Sequence, residues 1–131
     1  MGIFGYASYG PSKFAVRGLA ETLRAELRAS NIGVSIAYPP DTETPMLDEE
    51  NKTKPEETKL ITGLAKSWSA DAVAGCILRG IDGGKFAITP GATITLMYRW
   101  PGTIIPALRW YCDRLADGAG RRKPVPQPVE A

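Results

Sequence analysis

Apolar positions in the first third of the chain recur every three or four residues. Val16, Leu19, Ala20, Leu23 and Leu27 fall on one side of a helical projection, while Arg17, Glu21, Arg24 and Arg28 fall on the other. Pro11 fits a first helical turn, where its missing N–H is no loss, and Ser8 stands just upstream as a cap. The pattern predicts an amphipathic helix over 11–28. "SNIG" should stop it, because Asn31 or Gly33 can take the left-handed conformation that ends helices.

"VSIAYPPD" follows as a β-branched apolar run closed by two prolines, the pattern of one buried strand ending in a loop. Residues 41–62 are polar, charged and interrupted by Pro45 and Pro55, which predicts an excursion with one or two short helices. "SADAVAGCILRGIDGG" has a cap at Ser69, apolar positions Ala72, Val73, Cys76, Ile77 and Ile81, and a Gly83-Gly84 stop, and so reads as a second helix. "KFAIT" is then a second buried strand, and Pro90-Gly91 turns the chain out of it. Residues 94–117 are apolar and aromatic and should be helical in pieces. The rest is rich in Gly and Pro, as flexible tails are.

Helix, tight turn, buried strand is half of a parallel α/β unit. Two strands are too few for a parallel sheet covered on both faces, so the expected fold is the C-terminal part of a larger α/β domain. The expected divisions are 1–91 for that part, 92–117 for an apolar helical extension and 118–131 for a flexible tail.

With 131 residues, 44% hydrophobic and 23% charged, the chain has ordinary globular composition. A net charge of +2, with a basic cluster only at Arg121, Arg122 and Lys123, gives no footprint for nucleic acid. There is no histidine, which removes Ser/His and Cys/His nucleophilic pairs and most zinc sites made within one chain. No metal is expected. Cys76 and Cys112 have neither metal-ligand spacing nor a disulfide framework; both read as buried apolar residues in a reducing compartment. The opening "MGIFGYASYG" has no signal-peptide pattern, and a cytoplasmic location is expected. The apolar stretch after Lys85 is interrupted by Pro90, Arg99, Pro101 and Pro106, unlike a spanning helix. Its aromatics and arginines fit peripheral contact with a membrane through 92–117.

Proton chemistry is then left to Tyr, Lys, Asp, Glu or Cys. Tyr9 and Lys13 stand four apart, one helical turn, and so share a face. A phenol normally holds its proton until about pH 10. A cation about 4 Å away attracts phenolate by roughly 4 kcal/mol before solvation costs, at an effective dielectric near 20. The lysine is thus expected to make the tyrosine a usable proton donor or acceptor. The small residues Gly10 and Ser12 leave space there, and "PPDTETP" lies at the carboxyl edge of the strand, where open α/β sheets bind ligands.

"YGPSKFAVRGLAETLRAEL" followed by "VSIAYPPDTETPM" resembles the second half of a short-chain dehydrogenase/reductase: a Y-x-x-x-K motif, its helix, the next strand and a P-x-x-x-x-T loop. The resemblance covers residues 3–90. It implies a Rossmann-like doubly wound parallel sheet whose glycine-rich N-terminal half lies outside this chain. It also implies that Tyr9 is the general acid at the substrate carbonyl, and that Lys13 favours the ionised tyrosine and binds the nicotinamide ribose. Pro39, Pro40, Asp41, Thr42 and Thr44 fall on the loop at the nicotinamide end, with Thr44 at the family threonine. Pro39-Pro40 departs from the usual Pro-Gly, which stiffens the loop.

"AYPPDTETP" together with residues 49–61 is further similar to the Pro-Pro-Asp-Thr loop and lid of the branch that reduces the keto group of a long-chain sphingoid base, 3-ketodihydrosphingosine to dihydrosphingosine, with NADPH. NADP is therefore the implied cofactor, with NAD the alternative, and an apolar keto or hydroxy lipid the implied substrate. A steroid, a retinoid or another apolar alcohol stays open as substrate. A non-catalytic interaction module also stays open, since helix 11–28 could pair with its copy in a homo-oligomer. The family's phosphate loop and catalytic serine stand further before the tyrosine than this chain reaches, with Met1 eight residues away. The chain is accordingly expected to be a fragment, inactive by itself.

Overall fold

A computed structural model describes residues 2–63 and 66–120. It is mostly helical, with small parallel sheets. Helix α1 spans Tyr9–Glu26 and continues as a 3₁₀ turn over Leu27–Ser30. Asn31 closes it in the left-handed region, at φ 56°. The helix begins two residues before Pro11. Ser8 makes no side-chain cap bond because its backbone is already helical, whereas a capping hydroxyl needs an extended backbone to reach back. The Gly10 N–H instead donates to the Tyr6 carbonyl at 2.7 Å.

Strand β1 is Ile36–Ala37. Within the polar excursion lie β2, Thr42–Glu43, then α2, Pro45–Thr53, and α3, Glu56–Thr62. Strand β3, Trp68–Ser69, leads into α4, Ala70–Asp82. The Ser69 hydroxyl caps α4 by accepting from the Ala72 N–H, and Gly83 ends it. Strand β4 is Ala87–Ile88, followed by α5, Ala92–Arg99, and α6, Pro101–Gly120. Pro101 opens α6 at a position where its missing N–H is no loss, and Pro106 is carried inside the helix. The expected break at Pro106 is therefore not present. Residues 118–120 continue α6, and the remainder of the expected tail lies outside the described residues.

The described strands form two parallel pairs. Ile36 stands opposite Ala87 in one, and Thr42 opposite Trp68 in the other. The second pair was unexpected, since Thr42–Glu43 sits in a charged loop and carries no apolar alternation. Ile36 and Ile88 are buried, as a strand between layers requires. Helix α4 lies against β4: Val73 and Gly80 are its buried positions, and a Cβ on Gly80 would stand 2.6 Å from Ile88 Cγ1.

The apolar side of α1 is covered only in part. Ala20 is buried and Leu23 and Leu27 are half-buried, but Phe14, Val16 and Leu19 are more than half exposed. Cys112 is buried as expected. Cys76 is half-buried, its sulfur 3.4 Å from an Arg79 guanidinium nitrogen, and both thiols are free. No helix among the described residues is long and apolar enough to cross a membrane.

Candidate active site

The first turn of α1 carries Tyr9 and Lys13 on one face, as the four-residue spacing requires. The Lys13 ammonium sits over the Tyr9 ring, 4.7 Å from its centroid. Ring and cation attract through the ring's quadrupole. The Tyr9 hydroxyl makes no hydrogen bond and Lys13 no ion pair among the described residues, and Tyr9 is 55% exposed. Both polar ends are therefore free for a ligand. Ser12 turns its hydroxyl back to the Tyr9 carbonyl at 2.7 Å, and so steadies the turn rather than facing outward.

The loop after β1 runs through Pro39, Pro40, Asp41, Thr42 and Thr44. Its hydroxyls serve the loop's own backbone: Thr42 donates to the Pro40 carbonyl at 2.9 Å, and Thr44 accepts from the Leu47 N–H to cap α2. The Asp41 carbonyl accepts from the Trp68 N–H at 2.9 Å. No hydrogen bond or ion pair among the described residues joins this loop to Tyr9 or Lys13. The link between the two is Tyr6, which the sequence reading did not single out. Its ring centroid lies 5.5 Å from that of Tyr9. Its hydroxyl donates to Glu50 Oε1 on α2. Burial, the bond to Glu50 and the negative charges of Glu50 and Asp41 push the Tyr6 phenol well above its ordinary range, so it remains a donor.

Glu50 also faces the Lys54 ammonium at 3.3 Å, and the Lys54 side chain is nearly fully buried. The bond from Tyr6 and the ammonium of Lys54 together hold the Glu50 carboxyl below its usual value, against the opposing effect of burial. Glu50 and Lys54 stand four apart, and that spacing was a readable signal within what otherwise looks like a solvated charged run. At the head of the loop, Tyr38 packs its ring 5.4 Å from that of Tyr98 on α5, and the Arg17 guanidinium lies 5.9 Å over Tyr98. These contacts bring the apolar extension against both α1 and the loop.

A helix bearing a Tyr/Lys pair, followed by a strand in parallel pairing and a proline-bounded loop, defines a protein of the α/β class. Residues 1–55 match the family model described as short chain dehydrogenase. The chain is 53% identical over 88 residues to the 3-ketodihydrosphingosine reductase of Dictyostelium discoideum, covering 67% of this chain and 26% of that protein. It is 50% identical over 91 residues to the 3-dehydrosphinganine reductase of Danio rerio, covering 70% and 27%. It is 47% identical over 92 residues to the 3-ketodihydrosphingosine reductase of Mus musculus, covering 70% and 28%. No solved structure matches. The chain belongs to the short-chain dehydrogenase/reductase family. It spans about a quarter of the length of these curated relatives.

Proposed function

We propose that these residues form the C-terminal part of a Rossmann-like, doubly wound reductase that converts the keto group of a long-chain sphingoid base to an alcohol with NADPH. The activity belongs to the full-length protein. The observation that carries this reading is the Tyr9–Lys13 pair on one helical face, with no hydrogen bond on the Tyr9 hydroxyl and no ion pair on Lys13 among the described residues. The names of the similar reductases supply the substrate class.

The residues present fit a nicotinamide nucleotide. Lys13 has an ammonium free to donate to ribose hydroxyls, and the loop from Pro39 to Thr44 would border the nicotinamide end. When bound, the cofactor supplies the hydride that reduces the carbonyl carbon. Tyr9 donates its proton to the carbonyl oxygen as negative charge gathers there, with the Lys13 ammonium beside the ring of the phenol that gives it up.

The exposed Phe14, Val16 and Leu19 on α1 support a homo-oligomer joined through that helix. Exposed Leu96 on α5, Trp100 between the two helices, and Trp110 and Tyr111 on α6 support peripheral contact of a cytoplasmic enzyme with a membrane. Flotation with liposomes checks that contact, and a protein left wholly at the bottom of the gradient would remove it.

The decisive experiment is Tyr9→Phe in the full-length protein, assayed with NADPH and 3-ketodihydrosphingosine. Turnover should vanish while NADPH binding, followed by fluorescence, persists. Retained turnover would take the acid's role away from Tyr9.

A further inference from the structure

The segment before α1 is bound to the α2–α3 lid at successive residues. The Thr58 hydroxyl, with no exposed surface, donates to the Phe4 carbonyl at 2.7 Å. Gly5 adopts φ +84°, and a Cβ there would lie 2.7 Å from Thr58 Oγ1 and 3.4 Å from Pro55 Cγ. The Thr58 hydroxyl and the Pro55 ring approach the backbone this closely because Gly5 has no side chain. At the next position Tyr6 donates to Glu50. The Tyr6 carbonyl then accepts from Gly10 in the turn that carries Tyr9, and the two tyrosine rings lie against each other.

Helix α2 is itself fixed to the loop bordering the cofactor. Thr44 ends that loop and caps α2, and Glu50 lies two turns along the helix. A continuous path therefore runs from the loop through α2 to Glu50, across one hydrogen bond to Tyr6, and on to Tyr9. Lys54, buried beside Glu50, sets its ammonium 3.3 Å from Oε1, the same oxygen that accepts from Tyr6, and so holds that oxygen in place.

We infer that Glu50 is a positioning residue for Tyr9. Its hydrogen bond to Tyr6 fixes the catalytic phenol against the cofactor loop, so that the proton donor and the nicotinamide end are set by one rigid path. This rests on the reading of Tyr9 as the acid. A carboxylate that merely fastened the lid would affect stability and leave the turnover of folded enzyme alone.

The test is made on the full-length protein. Glu50→Ala and Tyr6→Phe should each lower kcat about tenfold with cofactor Kd little changed, because the reacting groups remain but are less well placed. The double variant should be no slower than either single one, since both changes remove the same bond. Glu50→Gln keeps an oxygen that accepts from Tyr6 and should recover most of the rate. Additive losses, a Gln variant as slow as Ala, or unchanged kcat in Tyr6→Phe would each overturn the inference. If Glu50→Ala does not fold, amide exchange of Gly10 and Lys13 in Tyr6→Phe reads the same path. Faster exchange is expected, and unchanged exchange would overturn it. Should the unaltered enzyme fail to reduce 3-ketodihydrosphingosine, the proposed substrate falls, while the exchange measurement still decides the role of Glu50.

Discussion

The Lys13 ammonium lies over the face of the Tyr9 ring, 4.7 Å from its centroid, and makes no hydrogen bond to the phenol oxygen. The pair is held by ring and cation rather than by a hydrogen bond. Replacing Lys13 by Met would lose about 0.5–1 kcal/mol of that attraction at an exposed site. A cofactor affinity reduced by more than that, measured in the full-length protein by NADPH fluorescence titration, reports the lost ribose contact. An unaltered affinity would show that Lys13 does not touch the cofactor.

The Tyr38 hydroxyl is buried and has no hydrogen-bond partner among the described residues, and burial pushes its phenol up. Tyr38→Phe removes an unmet polar group and keeps the ring against Tyr98. Stability should be unchanged or raised by up to about 1 kcal/mol in urea denaturation. A clear loss would mean that the hydroxyl has a partner in the folded protein.

Gly80 faces Ile88 where α4 crosses β4. Helix propensity alone would favour alanine there by about 1 kcal/mol. The clash of the alanine Cβ with Ile88 Cγ1, only 2.6 Å away, outweighs it, since overpacking a core costs about 1–3 kcal/mol. Gly80→Ala should lower the melting temperature, and adding Ile88→Val should recover part of the loss.

The Tyr6–Glu50 bond has a defined pH window. Glu50 is held below its ordinary 4.5, so its contribution is present above that value and is lost as pH falls through the lower folded one. Tyr6 is held above 10.0, so its contribution is complete below that value and is lost only as pH rises past the higher folded one. Melting temperatures of the unaltered and Tyr6→Phe proteins should differ most between those limits and converge in acid. In an alkaline absorbance titration, Tyr6→Phe should lack one phenol that ionises above the ordinary range.

The helix–strand frame could be read directly because its signals are local. The Val16 to Leu27 periodicity, the stop at Asn31, the Ser69 cap and the Gly83-Gly84 end all act within one or two turns, and the structure carries each. Pro45 and Pro55 signalled one or two short helices in the polar excursion in the same way, and there are two among the described residues. The Thr42–Trp68 pairing did not, because a two-residue bridge depends on two distant segments meeting and leaves no periodicity in either. Pro106 misled for the opposite reason: a local breaker is tolerated where the helix packs against other elements, as α6 does against α3 and α5. At the site, Tyr9 and Lys13 declare themselves by spacing. Tyr6 and Glu50 are far apart in sequence, and nothing in either neighbourhood points to the other.

Ile36 pairs with Ala87 only after the whole helix–lid–helix crossover has been made. Contacts between such distant residues close slowly, since the entropy of the intervening segment is lost before the pairing repays it. During synthesis, Ile36 leaves the ribosome well before its neighbour in β4 exists, and that edge of β1 waits unpaired. The order in which the chain is made thus leaves an interval in which a chaperone has most to do.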